Sequence, residues 1–167
     1  MYKRQELASA VQLVHETFFR FVSPLYSAQG NETFMRFNRY ENILSQYDHG
    51  ILHFWGCFDG EKLVGVICIR EWGHICMLFV DGDYHHRGIA RRLFETAKKA
   101  CLQENAALSA ITVNASPYAV GAYKRLGFVA MDCEQFADGM RSVSYTHLDV
   151  YKRQGQRHSG TYSKSFG

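Results

Sequence analysis

LFVDGDYHHRGIARRLF, residues 78–94, decides how this 167-residue chain folds. Its first three residues are apolar and β-prone, and DGDYHHR is a polar turn. From Gly88 onward, Ile89, Leu93, Phe94, Ala97 and Ala100 fall on one face of a helix reaching about Glu104. A strand that feeds through a tight turn into a helix leaves backbone N–H groups unpaired at the helix's positive end, a seat for phosphate oxygens. Gly88 lets the backbone approach an anion closely, Ala90 keeps the next turn small, and Arg87 and Arg91 add charge. Many helices begin with glycine, so this stretch alone leaves phosphate binding open.

Upstream, Leu7, Val11, Val14, Phe18 and Phe21 form the stripe of an amphipathic helix that Pro24 stops. Asn31 is placed to cap a second helix carrying Phe34, Phe37, Tyr40, Leu44 and Tyr47, closed near Gly50. The period then changes to that of strands at 51–58, 63–71 and 74–80, the first two joined by the hairpin signal Asp59-Gly60. Downstream, 108–114 reads as a strand, 117–126 as a short helix ended by Gly127, and 128–136 as another strand. This order predicts one α/β layered domain with a mixed sheet and no internal linker.

A second motif, NASPYAVGAYKRLGF at residues 114–128, places Tyr123 on the short helix just before Gly127-Phe128. Together the two stretches resemble the GNAT family of acetyl-CoA-dependent N-acetyltransferases. Arg/Gln-x-x-Gly-x-Gly/Ala falls on His85, His86, Arg87, Gly88, Ile89 and Ala90, and Asn…Ala…Tyr…Gly-Phe on Asn114, Ala119, Tyr123, Gly127 and Phe128. The resemblance implies a mixed, mostly antiparallel central sheet with helices on both faces, here without the family's first strand. It also implies acetyl-CoA as cosubstrate, an amine of a small molecule or protein as acceptor, and cytoplasmic location, and it leaves room for a homodimer. The pantetheine arm would run along Leu78, Phe79 and Val80, using backbone groups of Leu78 and Val80 as an added strand would. Residues 85–91 would hold the pyrophosphate, Asn114 and Ala119 would contact the arm, and Tyr123 would protonate the departing thiolate.

The Val80 N–H is the family-like donor to the acyl oxygen. For the base, Glu71 at the end of its strand comes first and His74 second. Two departures stand out: His85 where Gln or Arg is usual, and Gly82 where Pro is frequent. A non-catalytic acyl-CoA or nucleotide sensor of the same fold is the competing reading, and Tyr123 argues against it.

VSYTHLDVYKRQ at 143–154 repeats the YKRQ of residues 2–5. It can be encoded by DNA that, apart from its last letters, is its own reverse complement and resembles two back-to-back transposon ends used in sequencing libraries. The expectation is therefore that 1–5 and 143–154 are adaptor-derived, that 6–142 is the acetyltransferase domain truncated at both ends, and that 155–167 is a tail of doubtful origin. The alternation of Val143, Tyr145 and His147 with Ser144, Thr146 and Leu148 still predicts a strand, in the edge slot of the lost last strand.

The whole chain has 19 basic and 16 acidic side chains. Residues 1–5 and 143–167 hold six of the basic and one of the acidic ones, leaving thirteen against fifteen between them. That balance removes the charge argument for nucleic acid or an anionic membrane. The five cysteines show no CxxC spacing and read as reduced thiols in apolar runs; His15, His49 and His53 lack metal-ligand spacing, so no metal is expected. No apolar run reaches the roughly 18 residues of a membrane span.

Overall fold

The computed structural model describes residues 4–131, 135–137 and 140–147. Helix α1 (Arg4–Phe21) ends where Pro24 enters a short 3-10 turn, and α2 (Ala28–Phe37) and α3 (Tyr40–Asp48) follow. Strands β1 (Leu52–Asp59), β2 (Lys62–Arg70) and β3 (His74–Val80) form an antiparallel meander. Then come α4 (Ile89–Glu104), β4 (Ile111–Ala115), α5 (Val120–Arg125), β5 (Phe128–Ala130), β6 (Gln135–Ala137) and β7 (Met140–His147). The sheet order is β1-β2-β3-β4-β7-β5, with β6 paired to β7, and among the described residues only β3–β4 is parallel.

Both faces are covered, which is why β2 is buried along nearly its whole length. Val66 and Cys68 face a core built with Leu7, Val11 and Val14 of α1 and Ile43 of α3. Val64, Ile67 and Ile69 face the other core, with Leu93, Phe94 and Ala97 of α4 and Tyr123 of α5. Gly65 lets α4 settle closely on the sheet: a Cβ there would lie 2.8 Å from Ile89 Cγ2. No helix among the described residues is long and apolar enough to cross a membrane.

Three expectations are corrected. The second helix is two: Ser27, not Asn31, caps α2 by accepting from the Gly30 N–H at 3.1 Å. The break falls at Asn38, whose Nδ2 donates to Phe34 O at 2.8 Å and so takes a carbonyl of the last turn. The strand expected over 128–136 stops at Ala130, with β6 beginning at Gln135. The segment expected at a sheet edge is an inner strand, β7, pairing Ile111↔His147 on one side and Phe128↔His147 on the other. Tyr145 and His147 are accordingly buried, and the His147 ring packs edge-on against Phe94 and Phe128.

Candidate active site

The site originates in a short parallel pairing. β3 and β4 are in register only at His74↔Thr112 and Ile75↔Val113, and beyond these two pairs they part. The β2–β3 register steps from Ile69↔Ile75 to Cys68↔Met77, so Cys76 is an extra, bulged residue at the point of parting. Bulges bend a strand and re-aim its side chains, often beside active sites. Asp81 N–H donates to Val64 O at 2.9 Å, which makes Gly65–Val80 and, two residues back, Ile67–Leu78 non-hydrogen-bonded pairs. The N–H and C=O groups of Leu78 and Val80 therefore point away from β2, into the space that β4 vacates. A cleft of about 1020 Å³ fills this space.

The turn after β3 brings helix α4 to the mouth of the cleft. His86 (φ 60) and Gly88 (φ 74) are both left-handed, and α4 starts without a side-chain cap. The first intrahelical bond runs from Arg92 N–H to Gly88 O, so the N–H groups of Ile89, Ala90 and Arg91 have no acceptor within the helix. His85, His86, Gly88, Ile89, Ala90 and Arg91 all line the cleft, but Arg87 does not. Arg87 instead stacks 4.8 Å above Tyr84 and donates to Asp83 O. His85 is turned inward: its Nε2 bonds Val80 O at 2.9 Å and its ring packs on Phe21. That contact occupies one of the strand carbonyls expected to stay open, leaving both backbone groups of Leu78 and the Val80 N–H.

Asn114, Ala119 and Tyr123 line the opposite lip, with Asn114 Oδ1 accepting from Ser144. Phe21 and Tyr118 stack at 5.5 Å, joining the end of α1 to the segment before α5. Tyr123 is 5 % exposed, and its hydroxyl has no hydrogen-bond partner among the described residues. Burial first, then the neighbouring Cys76 thiol, pushes the phenol well above its ordinary range.

The thiols of Cys68 and Cys76 act on one another. Burial first, then Cys76, pushes the Cys68 thiol up, while Cys68 leads in pulling Cys76 down, aided by the charge of Arg70. His74 sits where the strands begin to part, Nδ1 to Thr112 Oγ1 at 2.9 Å; burial and then Arg70 lower its pKa, which keeps the ring neutral.

Glu71 is elsewhere. It occupies the exposed β2–β3 turn, with φ 49 followed by φ 58 at Trp72, beyond the paired end of β3 and β4, and it does not line the cleft. Sequence reasoning placed it at the cleft because it closes a strand; the open end of β3 is the other one.

Several cleft residues had no distinct signal in the sequence. Cys76 read as a buried thiol, and the aromatic residues Phe34 and Phe37 as one helix's core stripe. Arg70 and Gln46, joined at 3.2 Å, belong to no motif in the sequence. Cys57, Cys68, Cys76 and Cys101 are all free, and no group of three or more metal-ligating side chains occurs among the described residues. Cys133 lies outside them.

Residues 22–148 match the family model described as acetyltransferase (GNAT) domain. No curated protein matches the sequence. Among solved structures the chain is similar to a GCN5-related N-acetyltransferase from Rhodopseudomonas palustris, at 18% identity and a TM-score of 0.74 over 88% of this chain and 92% of that one. It is also similar to the PaiA N-acetyltransferase of Thermoplasma acidophilum in complex with coenzyme A, at 18% identity and TM-score 0.70 over 86% and 94%. A GNAT acetyltransferase from Staphylococcus aureus gives 16% identity and 0.66 over 87% and 94%. At these identities the likeness speaks for the fold.

Proposed function

Because the chain belongs to the acetyltransferase (GNAT) domain family, we propose that it moves the acetyl group of acetyl-CoA directly onto the nitrogen of an amine. The observation that carries this reading is the parting of β3 from β4 with the Tyr123 hydroxyl, unpartnered among the described residues, in the opening. Bound there, acetyl-CoA supplies an acyl carbon to which the amine nitrogen bonds as the carbon–sulfur bond breaks. Leu78 and Val80 offer strand-like backbone groups to an amide-bearing arm, and the free N–H groups at the start of α4, with Arg91, suit its phosphates. Asn114 and Ala119 border the arm on the opposite lip.

His74 is the base: it is neutral at physiological pH and lines the cleft, and with Nδ1 held by Thr112 its other nitrogen takes the amine's proton. The Val80 N–H is the donor available to the acyl oxygen. Tyr123 stays protonated and donates a hydrogen bond to the departing sulfur. Its raised pKa makes full proton transfer to a thiolate of ordinary basicity uphill, so it steadies that charge and the proton on the released thiol comes from solvent.

Titrating released thiol with acetyl-CoA and a panel of amines tests the reading. Tyr123→Phe should lower kcat by about 10²-fold, the lower end for a positioned proton donor, with calorimetric CoA affinity unchanged. Wild-type turnover in that variant would remove the role of Tyr123. Measurable CoA binding with no thiol from any amine would establish the sensor instead.

A further inference from the structure

The cleft extends past Tyr123 and Cys76 to the opposite side of the sheet, where it is bounded by α1, α2 and α3. This half is aromatic. Phe34 stacks on the buried Phe18 at 3.6 Å and meets Phe79 edge-on, and Tyr26 and the 57 % exposed Phe37 complete the wall. No described residue lining the cleft is Asp or Glu. A polycationic acceptor would bury its extra ammonium groups here without counter-charge, at a cost of several kcal/mol.

Among the described residues lining the cleft, the one cation at this end is Arg70. It is the register partner of His74, and its charge reaches both His74 and Cys76. Among the described residues it has no carboxylate within ion-pair distance, and it donates only to the neutral Gln46 Oε1. A guanidinium at the rim of an apolar chamber, one strand pair from the base, is a receptor for a carboxylate.

We propose that the acceptor is an α-amino acid with an aromatic or large apolar side chain, its carboxylate on Arg70, its amine beside His74 and Tyr123, and its side chain among Tyr26, Phe34 and Phe37. This rests on the acetyl-transfer reading above. An α-amino acid carries amine and carboxylate on the same carbon, matching the adjacency of His74 and Arg70 across β2 and β3. Arg70 is exposed, so an analogue without the carboxylate forfeits the charge-assisted bond while the guanidinium returns to water, and the discrimination is that of a solvated ion pair.

The experiment compares L-phenylalanine, phenethylamine and spermidine as acceptors by thiol release, with calorimetric binding of L-phenylalanine to the CoA-loaded protein as a second readout. Wild-type protein should prefer L-phenylalanine over phenethylamine in kcat/KM by about fivefold, the value of a well-made ion pair to an exposed guanidinium. In Arg70→Gln that ratio should collapse towards unity and L-phenylalanine binding should weaken by the same factor, with recovery in Arg70→Lys. The ratio cancels any effect of Arg70 on His74 that both amines share. Preference for spermidine, or a ratio that Arg70→Gln leaves intact, overturns the assignment while the acetyl-transfer reading stands. CoA binding with no thiol from any amine overturns both.

Discussion

The fit of helix α4 on the sheet should set affinity for the cosubstrate, and Gly65→Ala tests it. A Cβ at Gly65 would stand 2.8 Å from Ile89 Cγ2 and 3.1 Å from Leu93 Cδ1. Ordinary carbon contacts begin near 3.5 Å, so Ile89 has to retreat by about 0.7 Å. Its Cγ2 cannot swing clear, since a β-branched side chain in a helix is stiff at χ1. The first turn of α4 therefore moves, carrying the N–H groups of Ile89, Ala90 and Arg91. Overpacking of this kind costs about 1–3 kcal/mol, or roughly 3–10 °C of melting temperature for a domain of this size.

A displacement of that size strains hydrogen bonds to a phosphate, and loss of one charge-assisted bond weakens CoA by about tenfold. Calorimetry with CoA and a thermal melt read the two effects separately. Ile89→Ala removes Cγ2, so the double variant Gly65→Ala/Ile89→Ala should recover CoA affinity while remaining less stable than wild type. If Gly65→Ala melts earlier yet binds CoA as tightly as wild type, the start of α4 is not the phosphate seat.

Three further outcomes follow from the site. His74 is held below its ordinary pKa by burial and by Arg70, so the acid limb of kcat/KM should fall below the unperturbed value of about 6.5 and disappear in His74→Gln. The same depression makes the unfolded chain bind the proton first: its contribution to stability is intact above the unfolded pKa and is lost as pH falls through the folded one, which urea titrations at stepped pH would show. Iodoacetamide should label Cys76 ahead of Cys68 and Cys101, because Cys76 lines the open cleft while the other two are fully buried, and CoA should protect it; protection-independent labelling would place Cys76 outside the occupied cleft. Glu71→Gly should keep activity within about twofold and add roughly 0.5 kcal/mol of stability, since position 71 is left-handed and glycine relieves that strain; a hundredfold loss of turnover would restore Glu71 as the base.

What the sequence made legible is what neighbours in the chain determine. Residues 78–94 read correctly as strand, turn and helix because apolar period, glycine and first-turn chemistry are all local. The hairpin turn at 71–73 was legible in its place, marked by Gly73, but not in its bounds: Glu71 and Trp72 are left-handed without being Gly, Asn or Asp, and the strand was read one residue too long. That one residue carried the choice of base with it. The bulge at Cys76 is equally silent, since HICMLFV is uniformly apolar and nothing in it says that one residue goes unpaired.

The acceptor half shows a deeper limit. Phe18, Phe34 and Phe37 share one chemistry, and a periodicity argument puts them all in the core. Burial separates them only once α2 and α3 break at Asn38: Phe18 becomes fully enclosed, while Phe34 stays half-buried and Phe37 exposed at the cleft. A core wall and the wall of an apolar binding chamber are written in the same residues. What separates them is whether another part of the chain arrives to cover them. At β7 the reverse holds: the alternation of Val143, Tyr145 and His147 suits a slot between two strands as well as one at an edge. The long-range partners β4 and β5 decide which it takes, so a strand pattern specifies a face and leaves its neighbours to topology.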